Sequence, residues 1–243
     1  MMNRLNVLIK GEFDRLNKYN LFTASFVAAL IYVIMAWFMD EGLIMEIVPL
    51  VLLMDSTLMT SLLVGATLFY EKKEHTINSI MVTPSTSDEY LIAKVAANVA
   101  VSLFTVLLMG LALYLLKGVT FSYVHVVIAT VAITVLHTLI GVRIAYTAKN
   151  FTSMLVSFMV YALVFFMPSV LVMVDVIGPR YADFVVLSPL ESCANLLSAG
   201  FVDTVPPWKL AFGYSYVAVL SAALYRFAVK PRFAEYMMRE MGV

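Results

Sequence analysis

The chain has 243 residues, 62% of them hydrophobic and 13% charged, with a mean hydropathy of +0.92, far from the roughly half-apolar, quarter-charged average of soluble domains. This composition excludes an ordinary water-soluble domain and points to the lipid bilayer. Sixteen basic and sixteen acidic residues cancel, so net charge argues for neither nucleic acid nor an acidic partner, and the single Cys193 rules out an intrachain disulfide or a cysteine-cluster metal site.

Residues 3–18 place Leu5, Leu8, Ile9, Phe13 and Leu16 on one helical face, with Arg4, Lys10, Asp14, Arg15 and Lys18 largely elsewhere. That pattern predicts an interfacial amphipathic helix within residues 1–20; the plainer alternative is a solvated charged tail. About 20 apolar residues cross the hydrocarbon core as a helix, because lipid offers backbone amides no partners. Six segments answer to this: 21–39, 44–69, 91–116, 119–142, 151–174 and 209–229. The first is longer than a signal-peptide core and has no evident small-residue cleavage site, so it reads as a retained span. The third contains only Lys94, close to an end, and the last is bounded by Lys209 and Arg226, which can snorkel. Ala24 with Ala28 on the first span, and Ser153 with Ser157 on the fifth, have the small-xxx-small spacing of packed membrane helices.

Between the second and third spans lies the longest polar stretch, "YEKKEHTINSIMVTPSTSDEY", residues 70–90. Ile77, Ile80 and Met81 share a face of a short helix continuing from the second span, and Glu71, Lys72, Lys73, Glu74 and His75 surround its start. Pro84 then breaks it. Thr86 with Glu89 forms a capping box for the next helix, and Asp88 and Glu89 suit its positive end. The result is a projecting knob, or alternatively a solvated connection. With both termini cytoplasmic, Lys117, Arg180 and Lys209 lie outside and the other thirteen Lys and Arg inside, a positive-inside distribution that puts this loop in the cytoplasm.

The segment 175–208 is too apolar for a free loop. In "SPLESCANLLSAG", Ser188 suits a cap, Pro189 the first helical position, Glu191 the return arm of a capping box and Gly200 the stop. Such a helix of about eleven residues is roughly 16 Å long, half a membrane. It therefore dips into the outer leaflet or lies on the surface, with Trp208 as an interfacial anchor. Residues 230–243 form a short cytoplasmic tail, in which Pro231 opens a helix.

Asp55 is the acidic residue deep in a span, where a carboxylate costs on the order of 3 kcal/mol on insertion scales. It serves a cationic group or proton in a pathway, or bridges helices through hydroxyls such as Thr105. His137 on the fourth span approaches it in depth or is a packing residue. Tyr161, Phe165, Phe166 and Met167 make an adaptable apolar lining or face lipid.

The run Glu71-Lys72-Lys73-Glu74-His75-Thr76-Ile77, followed by Val82-Thr83-Pro84 and Glu89-Tyr90-Leu91-Ile92-Ala93-Lys94, resembles the loop after the second span in type-two ABC exporter permeases. Among these, the chain is most similar to fluoroquinolone-export-type permeases. The resemblance covers nearly the whole chain and implies an all-α integral membrane fold in one permease domain, 1–243, with six transmembrane helices. It further implies an N-terminal interfacial helix, re-entrant or short helices between spans five and six, and a coupling helix over 71–82 seated on a separate ATPase. Glu71, Lys72, Lys73, Glu74, Thr76, Ile77, Ile80, Thr83 and Pro84 would then carry ATPase coupling, and Ala24, Ala28, Ser153 and Ser157 would meet across a dimer interface. The partner would be a second copy or a paralogue. Asp55, His137, Tyr161, Phe165 and Phe166 are the candidates for the substrate pathway. No G-x-x-x-x-G-K-[ST] motif occurs in the sequence, so ATP and Mg are expected on the partner chain and no cofactor or metal on this one.

Two other classes compete with export driven by a foreign ATPase. A proton-coupled secondary transporter would use Asp55 and His137 and would be built of repeated halves; residues 1–121 and 122–243 carry no convincing repeat. A non-transporting membrane anchor or immunity protein would not need the knob. An enzyme is not expected, because no nucleophile–base pair or paired carboxylates recur in the spans.

Overall fold

In the computed structural model, which describes residues 2–74, 76, 83 and 85–241, every regular element is a helix. The helices are α1 Met2–Lys18, α2 Leu21–Trp37, α3 Glu41–Met54, α4 Thr60–Lys73, α5 Ser87–Lys117, α6 Tyr123–Thr147, α7 Phe151–Met173, α8 Pro179–Ala182, α9 Pro189–Ser198, α10 Pro207–Ala223 and α11 Lys230–Met241. Among the described residues, five helices are long and apolar enough to cross a membrane, and a sixth is added if the bent pair α1–α2 counts as one span. The chain is a multi-pass membrane protein.

Two spans are continuous through π-helical turns. Residues Asp55–Met59 join α3 to α4, and Leu224–Val229 join α10 to α11. Hydroxyls add bonds to the backbone around the wide turn at Asp55: Thr57 donates to the Leu53 carbonyl at 2.6 Å, and Thr60 to that of Asp55 at 3.2 Å, which also accepts from the Thr60 amide. The second π turn stands directly before Pro231, which lacks an amide and crowds the preceding turn. Pro231 therefore does not open a separate tail helix as expected; the sixth span runs on through it.

The bend of 68° between α1 and α2 is made at Asn20, whose φ of 56° is left-handed. The predicted capping box of α5 is present: Thr86 accepts from the Glu89 amide at 3.2 Å while Glu89 accepts from the Thr86 amide at 2.8 Å. The helix stops at Gly118, in the left-handed conformation glycine adopts without penalty. The fourth span begins at Tyr123 rather than 119; the residues before it form an irregular connection in which the Ser122 amide donates to the Gly200 carbonyl at 2.8 Å.

Helix α6 is the centre of the bundle, with Val126, Ala129, Ile133 and Leu136 fully buried and α4, α5, α7, α9 and α10 packed around it. Helix α9 is drawn inside rather than left on a surface: Cys193, Leu196 and Leu197 are fully buried against α3, α6, α7 and α10. Its start follows the predicted Ser188-Pro189 order, but the capping box does not form. Ser188 donates instead to the Phe165 carbonyl on α7, and Glu191 accepts from Ser169 at 2.7 Å and from Asn195 at 3.2 Å. The helix stops just before Gly200, as expected, and the glycine also permits close approach, since a Cβ there would lie 2.4 Å from Val126.

Candidate functional site

The root of the polar loop holds a buried set of charges. Glu71, in the last turn of α4, and Lys94, in the second turn of α5, are both essentially inaccessible and meet at 2.7 Å. Across from them, α1 supplies Glu12, whose two carboxylate oxygens each lie 3.1 Å from Lys94, and Arg15, 3.0 Å from Glu71 and paired also with Glu12. Tyr90 donates its hydroxyl to Glu71, and Lys94 sits 4.8 Å from the centre of the same ring. Two carboxylates and two cations balance, which is the condition under which ions tolerate burial. Burial pushes the Glu12 carboxyl above its ordinary range, against the pull of Lys94.

An exposed layer repeats the connection. Lys18 holds Glu74 at 2.7 Å, and Tyr19 stacks on Tyr70 with centroids 4.2 Å apart. The hydrogen bonds from Lys18 and Tyr19 hold the Glu74 carboxyl below its usual range. This contact is therefore present at neutral pH and lost as pH falls through that lowered value. Thr76 donates to the Glu71 carbonyl at 3.2 Å, finishing α4. On the other flank Lys230 pairs with Asp88 at 2.9 Å, Phe233 packs on Tyr90, and Tyr236 stacks on Tyr146. Helix α1 is thus bound to both helices that carry the loop, and α11 to α5 and α6.

Of the predicted coupling residues, Glu71, Lys72 and Lys73 close α4, Glu74 and Thr76 follow it, and Thr83 is exposed. Ile77, Ile80 and Pro84 lie outside the described residues. Arg15, expected on the polar face of α1, and Lys94, expected close to the end of its span, both turn inward, because Glu71 and Glu12 are buried and require cations. Glu12, Tyr90 and Lys94 join this cluster without having been among the expected coupling residues. Glu12 had a signal, standing on the Leu5-Leu8-Leu16 face at helical spacing.

Within the spans, Asp55 is buried with the Thr105 hydroxyl as its hydrogen-bond partner. His137 is also buried. Its Nδ1 bonds the Ile133 carbonyl at 3.0 Å, and Tyr161 lies 3.0 Å from its Nε2. No hydrogen bond or ion pair joins Asp55 to His137 among the described residues. Tyr161 packs on Phe165, whereas Phe166 points outward, 40% exposed. Ala24 is exposed and Ala28 half-buried, while their neighbours Ser25 and Ala29 are buried. Ser153 is spent on the cap of α7, and the exposed Ser157 donates to its carbonyl at 2.9 Å.

A charge-balanced, buried core thus sits at the base of the polar loop. The model of the fluoroquinolones export permease protein family matches residues 3–241. The chain is also similar to the fluoroquinolones export permease proteins of two Mycobacterium tuberculosis strains, CDC 1551 and H37Rv. Each is 29% identical over 196 residues, covering 80% of both chains.

Proposed function

The chain belongs to the fluoroquinolones export permease family, and from that membership we propose that it is the membrane-spanning subunit of an ATP-driven exporter of the ABC type. Separate cytoplasmic ATPase subunits bind ATP and Mg and seat the loop that begins at Glu71. Two permeases, identical or paralogous, rock about a shared interface and expose a drug-like, peptide or lipid-like substrate alternately to each side of the cytoplasmic membrane. Both termini face the cytoplasm, in keeping with the distribution of Lys and Arg.

The observation that carries this reading is the buried Glu12-Arg15-Glu71-Lys94 set. A push on a freely hinged loop would be absorbed by bending. Here the loop's two roots and α1 are one hydrogen-bonded block, so displacement of the loop moves α4, α5 and α1 together. The exposed Ala24 and half-buried Ala28 on α2 and the largely unburied outer face of α7 leave surface for the second permease.

Copurification of the chain with a candidate ABC ATPase from the same organism tests this. The expected product contains two copies of each subunit and hydrolyses ATP faster with substrate. Hydrolysis by the ATPase that is indifferent to the chain, with no complex formed, would overturn the proposal.

A further inference from the structure

Helix α7 stands away from the rest of the bundle along much of its length, and two open-sided apolar grooves run beside it. One, of about 470 Å³, lies between α6, α7 and α10. Its walls include Ile144, Val160, Tyr161 and Leu220, and Arg143 lies at its loop end. The other, of about 850 Å³, lies between α7 and residues 176–188 and contains Arg180 toward the far end of the bundle. The two grooves share Val164 and Phe165, and the bond from Ser188 to the Phe165 carbonyl marks their junction.

Arg143 is only partly exposed, and no hydrogen bond or ion pair holds its guanidinium among the described residues. The charged groups that act on it from α11 are Arg232 and Glu235, one of each sign. A half-buried guanidinium beside apolar walls is incompletely solvated, and a planar carboxylate satisfies it with two parallel hydrogen bonds. The phenols of Tyr161 and Tyr216 line the same groove, offering flat surfaces for a ring.

We infer that the crease along α7 is a binding path for small amphipathic carboxylates, the acid held by Arg143 and the apolar body lying between α7 and α10. Passage beyond Phe165 leads into the second groove and toward Arg180, so the path has one cation near each end and apolar walls between. As a route for cargo this rests on the export reading above; as a binding site it does not, and the test is chosen accordingly.

The full-length chain, without an ATPase, is placed in phosphatidylcholine nanodiscs and titrated with pyrenebutyrate, with the neutral pyrenebutanol as comparison. Pyrenebutyrate is expected to bind at least tenfold more tightly. Arg143→Gln should remove that preference, Arg143→Lys should keep part of it, and Phe165→Ala should weaken both probes. A charge-assisted hydrogen bond of about 1.5–3 kcal/mol corresponds to ten- to a hundredfold in affinity. Equal binding of the two probes, or a carboxylate preference unchanged in Arg143→Gln, would overturn the inference. So would loss of pyrenebutyrate binding when the discs contain phosphatidylglycerol, since a net anionic lipid headgroup would then be the occupant of Arg143. Failure here with an intact, ATP-hydrolysing complex would reject the path and leave the export function standing.

Discussion

Replacing Lys94 by Met should destabilise the protein by about 3–5 kcal/mol, the cost of removing one partner from a buried ion pair. Met nearly matches the volume of the lysine stem, so the loss reports charge rather than a cavity. After the substitution Glu12 and Glu71, both buried, share Arg15 alone. Adding Glu71→Gln restores neutrality, leaving one carboxylate and one guanidinium. The double variant should therefore be more stable than Lys94→Met by 2 kcal/mol or more, a coupling of opposite sign to simple additivity. Thermal unfolding in nanodiscs of the wild type, both single variants and the double variant measures it. Additive losses below about 1 kcal/mol each would mean that these ions behave as exposed surface pairs.

Gly141→Ala should cost about 1–3 kcal/mol, the range for overpacking an interior that cannot relax. A Cβ at this position would lie 2.4 Å from Val64, 2.9 Å from the Ser61 carbonyl oxygen and 3.0 Å from the Ser61 Cα. Val64 could rotate, but the Ser61 backbone belongs to α4 and can move only with that helix. The hydrogen bond from Ser61 to the His137 carbonyl, 3.0 Å long, crosses the same contact and would lengthen. Gly11 provides the control. A Cβ there meets nothing within 4 Å, and in a helix interior alanine is favoured over glycine by roughly 0.5–1 kcal/mol. Gly11→Ala should thus be neutral or stabilising in the same assay, while Gly141→Ala lowers stability and loosens α4 against α6.

The sequence made the spans legible because lipid imposes one rule, an apolar helix of sufficient length, and five candidate spans, with α2 completing a sixth as part of the bent pair, stand where hydropathy placed them. The Thr86–Glu89 cap was readable for a similar reason: it depends only on residues three apart. What escaped the reading depended on partners distant in sequence. Arg15 looks like a polar-face residue until Glu71, 56 positions later, is found beside it, and Lys94 looks like a lone lysine near a span end until Glu12 and Glu71 enclose it. Ser188 and Glu191 have the spacing of a capping box, yet Phe165 and Ser169 on α7 compete for both side chains. Pro231 resembles a helix start because, in isolation, it is one; the π turn before it lets the span continue.

The proposed entry route for force generated in the cytoplasm is the loop rooted at Glu71. Its most direct test is the accessibility of a cysteine at Thr76, Cys193 being fully buried. In Thr76→Cys, a membrane-impermeant maleimide should label inside-out vesicles and not intact cells, and bound ATPase should shield the thiol. Labelling of intact cells from outside would place the loop across the bilayer from any cytoplasmic ATPase and contradict the account.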